Sequence, residues 1–172
     1  SKQDSITFSR PDSVNYTITE STFSNLGGDK TRCQNNIAAI RLLKQIEREK
    51  RSATPDEQQI LAKYIGWGGL ANAFDSSKTD WSKEYAELKT LLTPEEYSSA
   101  RSSTLNAHYT SYTIISSIYS ALDNMGFKGG KILEPALGTG NFFGSMPEEM
   151  RNNSQLSGVE LDSITGRIAK LL

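Results

Sequence analysis

The sequence predicts an α/β chain, a helical N-terminal region followed by the start of a parallel sheet, and three observations predict it. Residues 30–103 carry helical apolar spacing punctuated by Thr54-Pro55-Asp56-Glu57 and Thr93-Pro94-Glu95-Glu96. Each of these runs supplies a capping threonine, a proline at the first helical position and a capping-box glutamate. Lys131-Ile132-Leu133 then reads as a short buried strand that runs into Gly138-Thr139-Gly140 and on into helix-forming sequence. Downstream, a second strand is read from about Leu156 to Leu161.

Residues 1–29 form an arm with no sustained period, apart from a brief alternation at Val14–Thr19 that suits one short strand. From about Thr31 to Arg51 the pattern is helical, with Ile37, Ile40, Leu43 and Ile46 on one stripe. The opposite face is basic: seven Lys/Arg stand against two Glu over residues 30–51. Such a face is either ordinary solvated surface or, through Arg41, Lys44 and Arg48, a set of phosphate contacts for DNA. The helix opened by Thr54 carries Ile60, Leu61, Tyr64 and Ile65 and stops at Gly66-Trp67-Gly68-Gly69-Leu70. Trp67 there is read as a packed ring, with base stacking as the alternative. Trp81, Tyr85, Leu88 and Leu92 lie at helical spacing as a core stripe, and the helix opened by Thr93 runs to about Ser102. After Tyr109-Thr110-Ser111 comes a helix with Ile114, Ile115, Ile118, Leu122 and Met125 inward, ended by Gly126. Asn141–Gly144 starts a short helix, and Asp162 or Ser163 caps a last one with Ile164, Ile168 and Leu171 inward.

Composition narrows the function classes. No apolar run approaches the roughly eighteen residues of a membrane span, and nothing resembles a signal peptide, so neither a membrane partner nor secretion is expected. Cys33 and His108 are the only residues of their types. That excludes a disulfide framework and leaves too few soft ligands for a structural zinc site, so no metal is expected and a cytoplasmic location is. The net charge of −1 makes any basic surface local. Ser1 at the start and Leu171-Leu172 inside an unfinished amphipathic pattern suggest a fragment of a longer polypeptide.

The glycine turn is where ligand chemistry is expected, because a strand, a glycine turn and a helix start can face backbone N–H groups toward a ligand. Two nucleotide fingerprints fail by counting. Position 143 is Phe143 where a dinucleotide motif needs glycine, and no Gly-Lys-Ser/Thr follows for a P-loop. What remains is Glu134-Pro135-Ala136-Leu137-Gly138-Thr139-Gly140-Asn141-Phe142-Phe143, with Gly158-Val159-Glu160-Leu161-Asp162 downstream. That pair resembles motifs I and II of S-adenosylmethionine-dependent methyltransferases, in the form typical of adenine-N6 DNA methylases. Tyr109-Thr110-Ser111 resembles the motif X that precedes the first strand in those enzymes. The runs Asn36–Lys44 and Tyr64–Leu70 resemble the N-terminal region of large helicase–methylase fusion proteins carried by phages and conjugative elements of bacteria. The likeness covers about residues 26–172.

The resemblance implies a Rossmann-like methyltransferase sheet whose first part spans residues 104–172, after a helical domain at 30–103. It implies S-adenosylmethionine as cofactor, held by Tyr109, Thr110, Ser111, Glu134, Pro135, Ala136, Gly138, Thr139, Gly140, Asn141, Phe142, Glu160 and Leu161, with Glu160 accepting from the ribose hydroxyls. It implies DNA as the substrate of the complete protein and a superfamily 2 helicase domain as an intramolecular partner. One departure is plain. Adenine methylases carry Asn/Asp-Pro-Pro-Tyr/Phe to hold the flipped base. The five prolines here, at 11, 55, 94, 135 and 147, include no adjacent pair. The chain is therefore expected to hold cofactor without catalysing transfer. Two competing readings remain: a non-catalytic DNA-binding or docking module, and a binder of another nucleotide at the same turn.

Overall fold

The computed structural model describes residues 6–7, 15–23, 26–105 and 109–172. Val14 and His108 lie outside the described residues. The chain divides into two units, one of residues 25–109 and one that joins 1–24 to 110–172. In chain order the second unit opens with β1 (Ile6–Thr7) and α1 (Glu20–Phe23). The helical unit follows with α2 (Asp29–Glu49), α3 (Pro55–Leu61), α4 (Ser82–Leu91) and α5 (Pro94–Ser103), and with short 3-10 turns at Ala71–Phe74 and Thr79–Trp81. The chain then re-enters the second unit as α6 (Tyr112–Asn124), β2 (Lys131–Glu134), α7 (Asn141–Gly144), α8 (Glu148–Asn152), β3 (Gln155–Gly158) and α9 (Ser163–Ala169).

In the helical unit α2 buries Cys33, Asn36, Ile37, Ala39, Ile40, Leu43 and Ile46 along one face. Lys50 ends it in the left-handed region at φ 53, donating its N–H to the carbonyls of Glu47 and Ile46. Both threonines form full capping boxes, with Glu57 and Glu96 reaching back to the backbone N–H of Thr54 and Thr93. α3 stops at Leu61, short of Ile65, and Ile60 is exposed rather than inward. Beyond it Tyr64, Trp67, Phe74 and Tyr97 stack edge to face, with ring centroids 6.4, 5.1 and 5.3 Å apart. Trp67 is 1% exposed, so its ring packs in this core and offers no face to a base. Trp81, Leu88 and Leu92 are buried as their spacing predicts, but Tyr85 is only half-buried.

A buried amide fixes the glycine turn of this unit to α2. Asn36 donates from Nδ2 to the Gly66 carbonyl at 2.6 Å, and its Oδ1 accepts from the Ile65 N–H at 3.0 Å. Asn36→Ala strands both backbone groups, at about 1–3 kcal/mol each. Chemical denaturation should therefore show a loss of at least about 2 kcal/mol. A loss within error of zero would mean that water replaces the amide without cost.

In the other unit the sheet order is β1-β3-β2. β2 and β3 are parallel, with Lys131 opposite Gln155 and Glu134 opposite Gly158, whereas β1 lies antiparallel to β3. The fold is thus mixed α/β, with one parallel strand pair in a sheet of three described strands. The strand of the arm is Ile6–Thr7, while residues 15–19 form no strand. Instead Tyr16 donates its N–H to the Leu172 carbonyl and Ile18 to that of Gly144 at 2.8 Å. Ile115, Tyr119, Met146 and Met150 form the core, with Leu122, Phe127, Ile132, Phe142, Phe143 and Leu156 against it. Ile114, Ile118 and Met125 are exposed, which corrects the expected inward face of α6. At 100° per residue Ile115, Tyr119 and Leu122 share one arc and those three residues another, and only the first arc is covered.

Candidate functional site

The turn after β2 is held from three sides. Leu137 is buried beneath it, donating its N–H to the Val159 carbonyl at 2.9 Å while its own carbonyl accepts from Gly140 at 3.0 Å. Gly158 makes room for that leucine, since a Cβ there would sit 2.8 Å from Leu137 Cδ2. Gly138 and Gly140 take φ 58 and 89, left-handed values that residues with a Cβ rarely adopt. A Cβ on Gly140 would meet nothing within 4 Å, so the backbone here faces open space that a ligand can approach.

The second strand ends earlier than its sequence reads. β3 closes at Gly158, and Val159 makes one more contact across to β2, donating to the Glu134 carbonyl at 2.9 Å. Glu160 therefore lies on the loop past the strand, half-buried, and its carboxylate turns back onto the glycine turn. Oε2 accepts from the Gly138 N–H at 2.8 Å and Oε1 from the Asp162 N–H at 2.8 Å. An ionised carboxylate has about four acceptor positions. Two backbone bonds leave capacity for further donors.

The other residues singled out by sequence divide into groups. Glu134 Oε1 accepts from the Ala136 N–H at 3.1 Å, closing a tight bend over exposed Pro135 and Ala136. Thr139 is buried and donates from Oγ1 to Asn141 Oδ1 at 3.1 Å, leaving Asn141 Nδ2 buried without a partner. Phe142 turns into the core, and its carbonyl accepts from the Tyr119 hydroxyl at 2.7 Å. Burial, with the charge of Glu134, pushes that phenol up to about 12, so it stays a donor across the neutral range. Leu161 is 97% exposed beside Glu160. Thr110 and Ser111 are exposed at the start of α6, where Ser111 Oγ accepts from the Ile114 N–H at 3.5 Å as a helix cap. Tyr109 is the last residue of the helical unit.

Sequence reasoning read Leu137 and Gly158 only as members of the two motifs and gave Tyr119 no role, although all three support the turn and the helix behind it. Tyr119 was findable from its spacing of four from Ile115. A small, mainly apolar cavity of about 80 Å³ lies against Thr139 and Gly140, lined also by Tyr16, Ile18 and Phe143. It contains neither carboxylate and is far below the roughly 300 Å³ of a typical ligand pocket.

The basic face of α2 is largely paired within its own unit. Arg41 meets Glu87 at 2.5 Å, Lys44 meets Glu96 at 2.6 Å and Lys30 meets Glu84 at 2.9 Å, while Arg48 is exposed. Arg51 grips Glu57 with two bonds of 2.6 Å. That contact and the Thr54 N–H hold the Glu57 carboxyl down at about 2. A lowered folded-state pKa contributes stability above the ordinary value and loses it as the proton returns. Melting temperature should thus fall as pH drops from 4.5 toward about 2, and Glu57→Gln should remove that part of the slope. An unchanged slope would assign the acid loss to other carboxylates.

Among the described residues no group of three or more His, Cys, Asp or Glu is placed to hold a metal, and no helix is long and apolar enough to cross a membrane. No protein-family model, curated protein or solved structure matches the chain.

Proposed function

We propose that this chain is the cofactor-binding part of an S-adenosylmethionine-dependent adenine-N6 DNA methyltransferase with a Rossmann-like sheet. The observation that carries the reading is the Glu160 carboxylate hydrogen-bonded to Gly138, at the C-terminal ends of two parallel strands. Ligands of open α/β sheets bind in the crevice outside those strand ends. The residues fit the cofactor. Gly138 and Gly140 let its backbone approach, Glu160 offers acceptor capacity for two ribose hydroxyls, and Glu134 and Asn141 stand on either side of the turn. When bound, S-adenosylmethionine supplies an electrophilic methyl group. The chain's own residues bind and orient it, and orientation is what such a transfer needs.

Target adenine and DNA backbone belong, on this reading, to the complete protein, as does a helicase domain. The paired state of Arg41 and Lys44 weighs against α2 as the main DNA contact. A non-catalytic docking role draws its support from a different observation, the uncovered stripe of Ile114, Ile118 and Met125 on α6. Equilibrium dialysis with labelled S-adenosylmethionine separates these readings. Retention that S-adenosylhomocysteine competes away and ATP does not would support the cofactor site. Equal competition by ATP would favour a general nucleotide binder, and no retention the docking module.

A further inference from the structure

The helical unit contains an open pocket unconnected in sequence with the glycine turn. α4 and α5 each present a tyrosine and, one helical turn later, a cation: Tyr85 and Lys89 on the first, Tyr97 and Arg101 on the second. Residues four apart share a helix face, so all four line one opening. Phe74 and Asp75 also line it, and the open cavity measures about 540 Å³, within the usual range of ligand sites.

Its cations differ from those of α2. Lys30, Arg41, Lys44 and Arg51 each meet a carboxylate, whereas Lys89 and Arg101 make no salt bridge among the described residues. Lys89 Nζ instead stands 3.8 Å from the centroid of Tyr97 and 5.9 Å from that of Tyr85, held between two rings. Asp75, the acid in the lining, is already engaged: its Oδ1 accepts from the Ser77 N–H at 2.9 Å and the Ser77 hydroxyl at 2.7 Å. The pocket therefore combines aromatic walls with two cations that make no salt bridge among the described residues and with one carboxylate, Asp75, which the Ser77 hydrogen bonds and the nearby Arg101 charge hold below the usual carboxylate range. Tyr97 is buried and covered by Lys89, so half-buried Tyr85 is the ring left for stacking.

We propose that this pocket binds a nucleotide of single-stranded nucleic acid, with Lys89 and Arg101 on the phosphate and Tyr85 against the base. Phosphate-tracking cations beside a stacking ring are the general means of holding single strands. A duplex offers the same phosphates but keeps its base faces inside the stack, out of reach of a recessed tyrosine. The proposal does not rest on the cofactor reading, and its test omits S-adenosylmethionine.

Fluorescence anisotropy of the full chain with a labelled oligothymidylate of about twelve nucleotides, a length within the site sizes known for single-strand binders, reads the outcome. The expected result is single-strand binding stronger than that of a hairpin duplex of equal length. The Lys89→Gln/Arg101→Gln pair should weaken it at least about tenfold and flatten its salt dependence by roughly two counterions. Tyr85→Leu, which keeps apolar bulk, should weaken it at least about fivefold, within the usual worth of one stacked base. The Lys63→Gln/Lys83→Gln pair, an equal charge change on exposed residues outside the pocket, should not. Thermal melts establish that each variant is folded. Equal duplex binding, variants that bind like the parent, or full displacement by inorganic phosphate alone at matched ionic strength would each overturn the proposal.

Discussion

Glu160→Ala should weaken S-adenosylmethionine binding by roughly tenfold to a thousandfold. Two charge-assisted hydrogen bonds to ribose hydroxyls contribute about 1.5–3 kcal/mol each, and partial rescue by water brings the sum down to that range. The side chain also bridges Gly138 and Asp162 through its two oxygens, so its removal loosens the turn itself. Glu160→Gln separates the two roles poorly, because an amide keeps one acceptor and aims a donor at the other N–H. Asp162→Ala is the better comparison. Asp162 caps α9, accepting from the Thr165 N–H at 2.8 Å and the Thr165 hydroxyl at 2.6 Å. It should cost about 1 kcal/mol of stability and leave cofactor affinity within about threefold. Calorimetry showing equal losses of affinity for both variants would place the ribose contact elsewhere.

The largest stability effect is expected just before β2, at Gly129→Ala. Gly129 has φ +139, and a Cβ there would lie 2.5 Å from the Asn153 carbonyl oxygen, a backbone atom that cannot swing aside. Gly126, at φ +83, has nothing within 4 Å of the same added atom. Gly126→Ala therefore carries backbone strain alone, about 1–2 kcal/mol. Gly129→Ala adds a collision at the point where the Gly130 carbonyl accepts from the Gln155 N–H at 2.8 Å and starts the parallel pair. A loss of at least about 3 kcal/mol in urea melts is expected, enough to unfold a marginal domain. Equal costs at the two glycines would mean that Asn153 yields and that the β2–β3 junction is softer than its geometry.

Local signals in the sequence carried further than distant ones. Thr54 with Glu57 and Thr93 with Glu96 were legible as capping boxes because all the partners lie within four residues. The parallel pair was legible from one apolar run and the glycine turn behind it, but β2 is not the buried strand it reads as, since Leu133 is 63% exposed, and β3 stops at Gly158 where Val159-Glu160-Leu161 read as strand. Those three residues have strand-like composition, but Glu160 leaves the ladder to meet the Gly138 N–H. The face of α6 was misread because its apolar arc is too wide: periodicity cannot say which half of Ile114, Ile115 and Ile118 finds a partner. The cations of α2 looked available because Glu87 and Glu96, which occupy Arg41 and Lys44, lie far along the chain. Tyr85 failed as a core residue for the same reason, since only the placement of α5 leaves it beside a cavity.

The central claim is that the turn from Gly138 to Gly140, braced by Glu160, is a site for S-adenosylmethionine. An NMR titration of the nitrogen-15-labelled chain tests it most directly, because it registers even weak binding and reports where binding occurs. The backbone amides of Gly138, Thr139, Gly140 and Asp162 should shift together and saturate, while those of α2 and α3 in the helical unit stay in place. Saturating shifts confined to other residues, or none at millimolar cofactor, would contradict the account.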